Sequence, residues 1–120
     1  MPDSNSPRRV LVLGLDRRLG PTLRRALLPG RFELLELRDF HDIEAERTAR
    51  PSRPPLVIVP FARAIREVGS VVQWAQRIPT VFVLVPLSRR RDAYRLLPAS
   101  LVHFVLTPLV EGQLRSDIER

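Results

Sequence analysis

Six arginines stand where apolar runs give way to polar sequence. Arg17 and Arg18 follow "VLVLGL", Arg63 follows "LVIVPFA", and Arg89, Arg90 and Arg91 follow "TVFVLVPLS". A guanidinium presents a rigid fork of N–H donors that matches phosphate and carboxylate oxygens. Arginines gathered at one edge of a fold would therefore bind phosphate, a nucleotide or an acidic protein surface. Arg89–Arg91 also open a predicted helix, where the macrodipole disfavours positive charge by roughly 0.3–1 kcal/mol each. A solvated charge run is the plainer reading of the same residues, and the sequence leaves both open.

Other chemistries lack their residues. With no cysteine, disulfides, thiolate nucleophiles and thiolate metal sites are all excluded. His41 and His103 have no histidine or cysteine at ligand spacing, so no metal site is expected; His103 reads as a strand residue facing a helix or a partner. Ser70, Ser88 and Ser100 lack a histidine base, so no nucleophilic triad can be assembled. "GLDRRLG" is not a phosphate loop, because Gly20 is followed by Pro21 rather than Lys and Ser or Thr. Asp16 reads as a helix N-cap beside solvated Arg17 and Arg18. Neither enzymatic activity nor a cofactor is expected.

Composition narrows the partners. All twenty basic residues are arginine and the net charge is +7. Before and including residue 60 there are 11 arginines against 8 acids, and after it 9 against 5. Charge so evenly spread does not point to nucleic acid as the direct target. No apolar run approaches the roughly 18 residues that would span a bilayer, and "MPDSNSPRR" has no apolar signal segment. A cytoplasmic chain with no membrane partner is expected. At 120 residues, 44% hydrophobic and 28% charged, it is a single globular domain by length and composition.

The elements that must position these arginines follow from apolar spacing. Five strand-length runs recur: "VLVLGL" (10–15), "FELLEL" (32–37), "LVIVP" (56–60), "TVFVLV" (80–85) and "LVHFVL" (101–106). Residues 1–8 are a polar, proline-containing leader expected to be disordered, leaving residues 9–120 as the domain. Between the strands, helical spacing places Leu19, Leu23, Ala26 and Leu27 on one face. Asp39, with Asp42 three residues on, is a plausible N-cap for a short helix to about Ala49. Ile65, Val68, Val72, Ala75 and Ile78 form one stripe closed by Pro79, with Trp74 on the same helix. Ser88 can cap "RRRDAYRLL", which carries Tyr94 and stops at Pro98. Val110, Leu114 and Ile118 repeat every four residues, and the stripe is still running at Arg120. That fits a segment of a longer protein or a helix entering a further, output domain. Continuous apolar strands alternating with helices predict a parallel sheet covered on both faces, α/β and doubly wound. "FELLEL", the most polar strand, fits an edge, and right-handed crossovers give strand order 2-1-3-4-5.

The length, the element order, the opening "RRVLVLGLDRRLGPTLRRAL" and the ending "HFVLTPL" together resemble the receiver domain of bacterial two-component response regulators, over essentially residues 8–120. The resemblance implies a flavodoxin-like, receiver-like three-layer sandwich. By position, Phe104 takes the place of the aromatic switch residue, Thr107 that of the lysine and Pro108 that of the proline. The departures fall on the chemistry. Gly14 and Leu15 stand where an acidic pair would hold magnesium, Pro60 where the phosphorylated aspartate would be, and Val85 where a hydroxyl residue would be. Phosphoryl transfer to a carboxylate needs that carboxylate and a divalent ion. The resemblance therefore implies a pseudo-receiver that aspartyl phosphorylation cannot switch. In the family, the fourth helix, fifth strand and fifth helix form the docking face. Here that face would use Arg91, Tyr94, Arg95, Phe104, Leu114 and Arg115, for a protein partner or as a homodimer. The alternative is a small-anion or nucleotide sensor using Arg17, Arg18, Arg63, Arg89 and Arg90.

Overall fold

Valine, leucine and isoleucine in unbroken runs make strands that are buried on both faces, because alternate side chains then face two separate apolar layers. In the computed structural model, which describes residues 8–14, 19–27, 32–49, 55–78 and 80–107, the elements follow this logic. They are β1 (Arg8–Leu13), α1 (Leu19–Leu27), β2 (Phe32–Leu37), α2 (Asp42–Ala49), β3 (Leu56–Pro60), α3 (Phe61–Arg66), α4 (Val68–Arg77), β4 (Val81–Pro86), α5 (Arg90–Leu96) and β5 (His103–Thr107). A 3-10 turn, Leu87–Arg89, leads into α5. The sheet is all parallel in the order β2-β1-β3-β4-β5, as the apolar pattern predicts, in an α/β flavodoxin-like arrangement.

The period of two divides the core. Leu11, Leu13, Val57, Val59, Val83 and Val85 face a layer with Ile43 of α2, Ala64 of α3, Trp74 of α4 and Ala93 of α5. Val10, Val12, Ile58, Leu84 and Val105 face the other way, against Leu23 of α1. β2 is only half buried, as expected of an edge. The predicted C-terminal helix, with Leu114 and Arg115, lies outside the described residues, as do residues 1–7.

Four local expectations change. The helix predicted over Ile65–Ile78 is two helices, broken at Glu67 (φ −127°, ψ 48°). The break rotates the apolar stripe, so Val71, Trp74 and Ala75 are buried while Ile65, Val68 and Val72 are half-buried. Ser88 makes no capping hydrogen bond and lies in the 3-10 turn instead. β5 begins at His103 because the N–H groups of Leu101 and Val102 donate to the Pro98 carbonyl, at 2.9 and 3.2 Å. Asp39 is not the N-cap of α2, which starts at Asp42; its N–H donates to the Asp42 carboxylate at 3.3 Å.

Gly69 lies exposed in the first turn of α4, with nothing within 4 Å of where a Cβ would stand. Glycine costs a helix conformational entropy that alanine does not. Gly69→Ala is therefore expected to raise the unfolding free energy by about 0.5 kcal/mol, read from the urea midpoint. A loss of stability would contradict a helical Gly69.

Candidate functional site

In a doubly wound sheet, ligands bind beyond the carboxyl ends of the strands, where strand order reverses. Here that point lies between β1 and β3. β1 is followed directly by Gly14, whose N–H donates to the Leu37 carbonyl at 3.2 Å and whose φ is +67°. Arg63 Nη1 stands 3.3 Å from where a Cβ on Gly14 would be. Glycine thus serves both the left-handed backbone and the close approach of the guanidinium.

Arg63 is delivered by α3, three residues beyond Pro60. Its Nε donates to the Glu67 carboxylate and its Nη2 to the Arg38 carbonyl, with Asp39 Oδ1 at 3.6 Å. The guanidinium carbon lies 5.8 Å from the centroid of the Phe40 ring. Only 17% of the side chain is exposed. A half-buried cation, paired with two carboxylates, therefore occupies the carboxyl edge beside β1.

Among the described residues, the other positions that the resemblance assigns to phosphorylation chemistry bring no reactive group to that edge except the Thr107 hydroxyl. Pro60, half-buried, is the last residue of β3 and the N-cap of α3, with extended φ and ψ of −63° and 148°. Proline fits there because the end of a strand tolerates a missing N–H and its ring already holds the required φ. Val85 is fully buried in the core. Thr107, half-buried, ends β5 opposite Pro86. Leu15, Arg17 and Arg18 lie outside the described residues.

Among the described residues, the first arginine after β4 has partners of its own, separate from those of Arg63. Arg89 pairs with Asp92 at 2.9 Å and lies 5.3 Å over the Phe61 ring. Arg63 and Arg89 are thus each committed to a carboxylate and an aromatic ring. Arg90 and Arg91 are exposed and make no ion pair among the described residues. The Arg63–Glu67 pair was readable from its i, i+4 spacing in "RAIRE". Its closure onto Arg38, Asp39 and Phe40, 25 residues earlier in the chain for Arg38, was not.

The predicted docking residues behave differently. Tyr94 is 55% exposed, and its ring meets Phe104 edge-on, 4.9 Å between centroids. Leu106, two residues beyond Phe104 on the same side of β5, is also exposed. Arg91 and Arg95 are exposed on α5, and Arg95 shares Asp92 with Arg89, at 3.1 Å. A groove of about 520 Å³ opens here, lined by Phe82, Tyr94, Val102, His103, Phe104 and Val105 among others. His103 stacks on Phe82 at 5.0 Å, a contact that sequence reading missed because it depends on the β4–β5 register.

A second cleft, about 360 Å³, lies between α2 and α4 and includes Asp39, His41, Glu44 and Arg77. The Arg47 guanidinium, hydrogen-bonded to Glu44, holds that carboxyl below its usual range. Asp39, His41 and Asp42 bring donor atoms within 4.8 Å of one another. Asp39 already faces Arg63, and Asp42 accepts the Asp39 N–H. No helix among the described residues is long and apolar enough to cross a membrane. Compared with known proteins, the chain matches no family model and no curated protein.

Proposed function

We propose that this chain is a pseudo-receiver: a phosphorylation-independent interaction module that docks a protein through α5 and β5, of the kind used in bacterial regulatory proteins. The observation that carries this reading is where apolar surface remains uncovered. Among the described residues, the exposed large apolar side chains are Leu87, Tyr94, Leu96 and Leu106, all between the end of β4 and the end of β5. Tyr94, packed edge-on against Phe104, leaves an aromatic ring exposed beside the arginines of α5, and aromatic residues with arginines are the composition of a protein-binding surface. The carboxyl edge supports the phosphorylation-independent half of the reading. The Arg63 guanidinium stands where the resemblance would place magnesium, and Pro60 where it would place the acceptor.

The test uses Trp74, the only tryptophan, buried on α4. Beryllofluoride or acetyl phosphate with Mg²⁺ is expected to leave its emission unchanged and to add no phosphoryl mass. A Mg²⁺-dependent change, or a covalent phosphoryl adduct, would contradict the proposal.

A further inference from the structure

Three observations coincide along the outer edge of β5. First, β5 pairs with β4 alone among the described strands, so its other backbone edge has no strand partner there. Second, the 520 Å³ groove is lined by three consecutive residues of that strand, His103, Phe104 and Val105. Successive strand side chains point to opposite faces. A groove that touches all three therefore runs along the edge of the strand rather than over one face. Its walls are two ring pairs, Tyr94 against Phe104 on one face and His103 against Phe82 on the other. Third, the flanking charge is net positive, four arginines against the single carboxylate of Asp92. Arg90 and Arg91 precede Tyr94 by four and three residues, on the same side of α5, without a carboxylate partner among the described residues. Arg89 and Arg95 share the single carboxylate of Asp92.

We infer that this edge accepts an extended, acidic segment of a partner protein as an added strand. Alternate apolar side chains of the segment enter the groove, and its carboxylates face Arg90 and Arg91. Main-chain hydrogen bonds along β5 supply the general affinity of such strand addition, and the ring-walled groove selects the side chains. The arginines select the sign of the charge and speed the encounter. A second copy of this chain is the poorer occupant, because an isologous contact would set the Arg90, Arg91 and Arg95 of one copy against those of the other. The inference rests on the interaction reading above and names the partner's chemistry.

The test is a fluorescence-anisotropy titration of the full chain with a labelled peptide of roughly eight residues, alternating glutamate with isoleucine. Saturable binding is expected, with none for the same peptide carrying lysine in place of glutamate. Arg90→Glu combined with Arg91→Glu should weaken binding by roughly tenfold or more. Tyr94→Ala should weaken it by roughly tenfold. All three residues are exposed, so an unchanged circular dichroism spectrum is expected to show that these variants fold. Equal binding of the lysine peptide, or no loss in the arginine variant, overturns the inference. So does tighter binding of a single-stranded oligonucleotide of equal charge, which would assign the arginines to nucleic acid. A dimer that dissociates in Tyr94→Ala while neither peptide binds overturns the acidic-segment inference and leaves the interaction reading standing. A strictly monomeric protein that binds neither peptide, and whose native partner binds Tyr94→Ala unchanged, removes both.

Discussion

Arg63→Ala is expected to lower the free energy of unfolding by about 2 kcal/mol, the scale of losing charge-assisted hydrogen bonds in a largely buried setting. The Arg63 side chain joins three separate parts of the chain: Gly14 just after β1, the segment after β2 at Arg38–Phe40, and the α3–α4 junction at Glu67. Removing it leaves the Glu67 carboxylate and the Arg38 carbonyl without their donor and the Asp39 carboxylate without its counter-charge. Partial solvent access at Asp39 and Glu67 lets water replace some of those bonds. That access keeps the cost below the roughly 3–5 kcal/mol of breaking a fully buried pair. The neighbouring Arg66 is exposed, so Arg66→Ala should change stability by no more than about 0.5 kcal/mol. Urea denaturation of both variants measures the contrast. Equal costs would mean that Arg63 is a surface arginine like any other, and that the carboxyl edge is open after all.

That arginine also marks the limit of what the sequence makes legible. The five strands can be read because continuous apolar runs serve both faces of a parallel sheet, and the edge position of β2 follows from the two glutamates in "FELLEL". The carboxyl-edge position of Arg63 follows equally from its place just after β3. What it does there does not follow, because its partners at Arg38, Asp39 and Phe40 come from another connection. The same holds for the helix break at Glu67. Local spacing reads residues 65–78 as one stripe, while the non-helical backbone at Glu67 re-phases the helix so that Val71 and Trp74 enter the core. The α5–β5 face was legible as residues, since Tyr94 and Arg91 stand on a visible helix. The ring contact with Phe104 and the groove needed the β4–β5 register, which no single segment encodes.

The same register sets where the largest loss of stability should fall. Ile58 is fully buried in β3, the middle strand, opposite Val12 on one side and Phe82 on the other. Ile58→Ala removes buried carbon atoms and leaves a cavity that the flanking strands can close only in part. The expected cost is about 2–5 kcal/mol. Against the roughly 5–15 kcal/mol that holds an ordinary domain together, this is a substantial fraction of the whole. Leu34 packs against the same layer from the edge strand β2, but is only half-buried. Leu34→Ala should therefore cost about 1 kcal/mol, since less apolar surface returns to water. Urea midpoints at an unchanged slope separate the two, because the surface exposed on unfolding is nearly the same. Comparable losses would contradict the placement of β3 at the centre and β2 at the edge. Phe82, the neighbour of Ile58, also lines the groove beside β5, so the cavity lies behind a groove wall. Below its unfolding transition, Ile58→Ala should still bind the acidic peptide, because every side chain that faces the partner is retained. Stability lost with binding kept would show that the sheet supports the docking edge without forming part of its contact surface.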